Sequence, residues 1–100
     1  MKKVFLFVHN EGVEKRQYLA DILDRMPEVI AWRYDMISCF YIVSESSAKT
    51  LAERIRAETG GTLERMIVTA ITTDYWGWAT QDTWYLVANK APKPLPPQGP

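Results

Sequence analysis

The chain has 100 residues, enough for one two-layer core and not for two. Its 12 Lys and Arg balance 12 Asp and Glu, so no net field draws it to nucleic acid or to an anionic membrane, and any such binding must come from a local patch. Cys39 is the single cysteine, which excludes an internal disulfide and a cysteine-based zinc site; in its apolar run it reads as a buried thiol in a reducing, cytoplasmic setting.

Val4, Leu6 and Val8 alternate with Phe5, Phe7 and His9, which predicts a central strand apolar on both faces. The run is too short for a signal-peptide core, no later segment approaches a membrane span, and no membrane partner is expected. From Val13 the period changes. Leu19, Ile22, Leu23 and Met26 form a helical stripe, with Asn10 as the expected cap, Glu11 and Glu14 near its positive end and Pro27 beyond it. Val29 to Ile37 reads as an edge strand with Ile30, Trp32, Tyr34 and Met36 on one face and Arg33 and Asp35 on the other. Ser38 turns the chain into Cys39 to Val43, an interior strand. Ser46 or Ser47 caps a second helix carrying Ala48, Leu51, Ala52 and Ile55, and Gly60 with Gly61 stops it. Glu64 to Thr73 is the fourth strand.

Two right-handed crossovers around a hairpin give a βαββαβ, ferredoxin-like α+β sandwich with strand order 4-1-3-2. Both helices lie on one face of the sheet, so the other face is expected to expose a large apolar patch and to meet a second subunit. Tyr75-Trp76-Gly77-Trp78 follows the fourth strand. Residues 80–88 fit a helix capped by Thr80 slightly better than a fifth strand. The domain runs over residues 1–90, aromatic segment included, and a proline-rich extended tail over 91–100.

Trp32-Arg33-Tyr34, Phe40-Tyr41-Ile42-Val43-Ser44, Leu51-Ala52 with Ile55-Arg56, and Gly77-Trp78 with Asp82-Thr83-Trp84 resemble a set of small uncharacterised bacterial proteins labelled SinR-like. That label implies a transcriptional repressor, whereas the pattern contains no helix-turn-helix. More distantly, the layout resembles the dimeric CRISPR-associated protein of spacer acquisition and the virulence-associated protein D ribonucleases, which implies a symmetric dimer made by packing sheets. The CRISPR-associated family carries an aspartate, the proposed metal ligand, at the end of the first strand. Here that position reads Phe7-Val8-His9-Asn10-Glu11, which weighs against a metal-dependent nuclease.

His9 is the only histidine and, beside Asn10 and Glu11, is the candidate general base; a lone strand-end histidine is more often structural. Asp35 and Glu45 lie at opposite ends of a hairpin, so no metal and no cofactor are expected. Arg33, Arg54, Arg56 and Arg65 are candidate phosphate contacts, and Trp32, Tyr34 and Phe40 are candidate base-stacking residues, which makes nucleic acid a candidate partner. The competing reading gives the aromatics to a core or interface and pairs Arg54 with Glu58. Pro94 and Pro97 form a PxxP expected by chance in such a tail. The reading that follows is a homodimeric, non-enzymatic binding or assembly module using Arg33, Arg65, Tyr75, Trp76, Trp78 and Trp84. The alternative is a small dimeric nuclease, with or without metal, built on His9, Asn10 and Glu11.

Overall fold

The computed structural model describes Met1–Pro94 and shows a small α+β domain. Its strands are β1 (Lys3–His9), β2 (Ala31–Met36), β3 (Cys39–Ser44) and β4 (Met66–Ile71). Its helices are α1 (Arg16–Arg25, entered through a 3-10 turn at Val13–Lys15), α2 (Ala48–Glu58) and α3 (Gln81–Asn89). The sheet is antiparallel throughout, in the order β2-β3-β1-β4, which read from the opposite edge is 4-1-3-2.

β1 is central because both of its faces can be buried. Phe5 and Phe7 face α1 and α2, where they join Leu19, Ile22, Leu23, Phe40, Ile42, Leu51 and Ile55 in the main core. Full burial of each such side chain stabilises the fold by roughly 1.5–3 kcal/mol before the entropy cost. α2 begins at Ser47, whose hydroxyl accepts the Thr50 N–H at 3.1 Å, and ends where Gly60 and Gly61 take the left-handed backbone that lets their N–H groups reach Ala57 and Arg56 carbonyls. α1 starts differently from the sequence expectation. Asn10 does not cap it: the turn begins at Gly12, the α-helix at Lys15, and neither position is capped by a side chain. Asn10 belongs instead to the loop in which the Glu11 N–H bonds to the His9 ring.

The second sheet face is also covered from within the chain, which corrects the expectation that it lies free of helices. Residues 81–89 are helical, and Leu86 and Val87 of α3 bury against Val4, Tyr41 and Val43, with Leu6, Ala31 and Ile71 at the margin. A nine-residue helix is marginal alone and depends on this packing.

Its N-terminus is tied down by β2. The register slips between Tyr34 and Met36, so that Tyr34 pairs with Phe40 and Met36 with Cys39. Met36 therefore leaves the face of Trp32 and Tyr34 on which alternation had placed it, and Asp35 becomes the extra residue of a bulge. Its Oδ2 accepts from the Thr80 N–H at 3.0 Å and from the Thr83 hydroxyl at 3.0 Å. Arg33, on the same face, donates to Thr83 Oγ1 at 2.8 Å and to Thr80 Oγ1 at 3.0 Å. Thr80 is thus the N-cap residue, but its hydroxyl serves this network while a carboxylate from another strand caps the helix.

Beyond α3, Lys93 Nζ lies 3.6 Å from Asp82, so the chain folds back as far as that residue. The rest of the proline-rich segment, with Pro97 of the PxxP, lies outside the described residues. Replacing Asp35 by Ala should destabilise the domain by about 1–2 kcal/mol, the scale of a lost cap with its charge-assisted bonds. Urea unfolding followed by circular dichroism measures it, and an unchanged midpoint would show that apolar contacts alone hold α3.

Candidate functional site

The residues singled out in the sequence fall at two places. His9, Asn10 and Arg65 line one open cleft of about 410 Å³ at the end of β1 and β4, together with Val8, Glu64, Met66 and Ile67. The strand pairing causes this, because His9 lies opposite Met66 and Arg65 immediately precedes it. Glu11 lines the adjoining hollow with Asn10, Thr62, Glu64 and Arg65.

His9 itself is only 5% exposed. It stands 5.3 Å from the Phe7 ring and 5.9 Å from the Phe40 ring, measured between centroids. Nδ1 accepts the Glu11 N–H at 3.1 Å, which assigns the proton of the neutral ring to Nε2, and Nε2 has no partner among the described residues. Burial pushes its pKa down, and the nearby Glu11 carboxylate offsets part of that shift. The ring is neutral at neutral pH, yet its free lone pair is engaged by the backbone. A general base needs that lone pair turned to substrate, so the geometry suits a structural histidine better than a catalytic one.

Arg33 is withdrawn from phosphate binding by the α3 network, adding an ion pair to Asp82 at 3.7 Å. Arg54 pairs with Glu58 at 3.0 Å, as its spacing suggests, and with Glu28 at 3.6 Å. Arg65 is exposed. Trp32, Tyr34 and Phe40 are locked in a ring cluster; the Trp32 Nε1–H donates to Asp24 at 2.6 Å and the Arg16 guanidinium sits 4.2 Å above the Tyr34 ring. Phe40 is fully buried, so these three rings do not form an exposed row of stacking platforms. Among the described residues, no three His, Cys, Asp or Glu side chains converge as a metal-binding group.

The aromatic segment behaves otherwise. Tyr75 stacks on Trp84 at 5.9 Å and Trp84 is partly buried, so this pair belongs to the chain's own packing. Trp76 and Trp78 are each 91% exposed. Ile67 at 67% and Val8 add exposed apolar surface on the part of the sheet that α3 leaves open. Arg16, Ile67 and the Asp35–Thr80–Thr83 contact were not singled out in the sequence. The only local signal for the last was Thr80 and Thr83 at helical spacing, and nothing pointed from them to β2.

No family model, curated protein or solved structure matches the chain. No helix of the described residues is long and apolar enough to cross a membrane.

Because the folded His9 pKa lies below that of the unfolded chain, protonation favours unfolding. This contribution to stability should be complete above about pH 6.5 and decline as pH falls through that value. Asp35, held low chiefly by the Thr80 N–H, should keep its contribution down to about pH 4 and lose it below. Melting temperatures across pH 3–8 for wild type and His9→Gln check both, and a profile flat between pH 7 and 5 in the wild type would contradict the histidine assignment. Cys39 is buried, and burial, with Asp35 nearby, raises its pKa to about 11. The native protein should therefore resist thiol reagents at pH 8 and react fully in denaturant; fast native labelling would show an accessible thiolate.

Proposed function

We propose that this chain is a homodimeric, non-enzymatic binding or assembly module of the ferredoxin-like class, working in the cytoplasm. The observation that carries the reading is Trp76 and Trp78, two tryptophans almost wholly in water on the segment that crosses to α3. Neither contributes to the core, each offers a large rigid apolar area at low entropy cost, and such residues dominate contact energies when a partner buries them. Val8 and Ile67, on the part of the sheet that α3 leaves open, add further exposed apolar surface. The element order and the antiparallel 4-1-3-2 sheet support the class, and the buried Cys39 thiol suits a reducing compartment.

Light scattering at micromolar concentration should give twice the mass of the chain, and a monomer mass would overturn the dimer. Trp78→Ala should raise the dimer dissociation constant about 30-fold, the equivalent of about 2 kcal/mol, with little change in melting temperature. Trp84→Ala should instead lower the melting temperature, since Trp84 packs on Tyr75. If Trp76→Ala and Trp78→Ala each leave dissociation unchanged, the aromatic segment has no part in self-association.

The second reading, a small nuclease acting on RNA or DNA, is favoured by one observation, the unpartnered Nε2 of His9 beside a cleft that also holds Asn10 and Arg65. Purified protein incubated with single- and double-stranded RNA and DNA, with and without Mg²⁺ or Mn²⁺, tests it. Cleavage lost in His9→Ala and in Arg65→Ala would replace the binding module by this reading.

A further inference from the structure

The two edges of the sheet are unlike. β2 carries Arg33, Asp35 and a bulge, and Pro92 and Lys93 line one open pocket with Trp32, Arg33 and Tyr34. Charges and a bulge are devices that stop an edge strand from pairing with another chain. β4 has none of them. From Met66 to Thr73 the sequence reads Met-Ile-Val-Thr-Ala-Ile-Thr-Thr, with no charge, no proline and no glycine, and among the described residues no strand pairs with its outer side.

The His9 N–H donates to the Ser38 carbonyl, so odd-numbered residues of β1 turn their N–H and C=O toward β3 and even-numbered ones turn theirs toward β4. Val4, Leu6 and Val8 lie opposite Ile71, Thr69 and Ile67, which therefore spend their backbone groups on β1. Met66, Val68 and Ala70 are left with N–H and C=O pointing out of the sheet.

We infer that β4 is the joint between two copies of this chain, pairing antiparallel with β4 of a second copy about a two-fold axis at Val68. In that register, Met66 lies opposite Ala70 of the partner subunit and Val68 opposite Val68 of the partner subunit, so every outward backbone group of the strand is matched. Shifting the axis to Thr69 would bring Glu64 toward Asp74 of the partner subunit, two like charges just beyond the ends of the strand, which disfavours that alternative. The occupant is a second copy because the edge is self-complementary: about an axis at Val68 the outward N–H and C=O groups of Met66, Val68 and Ala70 meet those of the same three residues, with no charge on either strand. The defended β2 edge cannot accept β4, so the contact closes at two subunits and does not propagate into fibres. Ile67 of both copies then lies beside the joint on one face.

This inference rests on the homodimer proposed above and adds the β4 edge to the contact proposed there for Trp76 and Trp78. Ala70→Pro removes an outward N–H that takes no part in the β1–β4 ladder, and Ala70→Lys places a charge at the same edge with ordinary backbone. Both should give folded monomers, with the dissociation constant raised at least 100-fold. In the wild type the Val68 and Ala70 amides should be protected from hydrogen exchange, and in Ala70→Lys the Val68 amide should exchange freely. If the wild type is a dimer and Ala70→Lys is an equally tight dimer with these amides unprotected, the edge assignment is overturned while the homodimer stands. A wild-type monomer at micromolar concentration overturns both. Should Ala70→Pro fail to fold, the lysine variant decides the question alone.

Discussion

A four-stranded sheet has two faces, and here both are apolar at the centre. β1 sends Phe5 and Phe7 to one side and Val4 and Leu6 to the other, and β3 sends Phe40 and Ile42 one way and Tyr41 and Val43 the other. The two crossover helices can cover only the first set. The chain brings a third element, α3, to the second set, and the Asp35 carboxylate at the bulge of β2, on the face of Arg33, accepts the Thr80 N–H at the start of that helix, where the helix dipole favours negative charge. A short helix with a modest apolar face is then fixed at one end by charge-assisted bonds and along its length by Leu86 and Val87.

What could be read from the sequence was what is encoded locally. The helical stripe through Leu51 and Ile55 with Ser47 before it and Gly60 after it lies within fifteen residues, and its structure agrees in each part. The alternation in β1 likewise marks a strand buried on both faces. Interactions across long stretches of chain were not legible. Asp35 and Thr80 are 45 residues apart, and no period connects them. The same bulge made the alternation through Trp32, Tyr34 and Met36 misleading, since one added residue reverses the face of every residue after it. Asn10 has the chemistry of a cap, but the His9 ring takes up the loop's N–H and the helix starts later.

The candidate site shows the same limit at the level of chemistry. A sequence displays a histidine as a titratable group with two nitrogens; the fold has buried the ring among Phe7 and Phe40 and engaged one nitrogen with backbone. Arg33 looked available for phosphate and is the hub of the α3 contact. Aromatic residues were the reverse case. Tyr75, Trp76, Trp78 and Trp84 appeared as one cluster, yet the fold divides them: Tyr75 and Trp84 stack on each other, and Trp76 and Trp78 stay in water.

That division bears on what the surface is for. A tryptophan side chain removes on the order of 150–250 Å² from water when buried, roughly 4–6 kcal/mol at about 25 cal/mol per Å² before ordering costs. Trp76 and Trp78 forgo that gain in the isolated chain. Gly77 between them is not demanded by crowding, since a Cβ there would meet nothing within 4 Å. Neither neighbouring packing nor a strained backbone therefore dictates the Trp-Gly-Trp run, whereas the covering of the second face dictates Leu86, Val87 and the Asp35 contact. Residues that the fold does not require, and that a partner could enclose, are the ones the proposed association uses. The same fold leaves the uncharged β4 edge with outward N–H and C=O groups that no strand meets among the described residues.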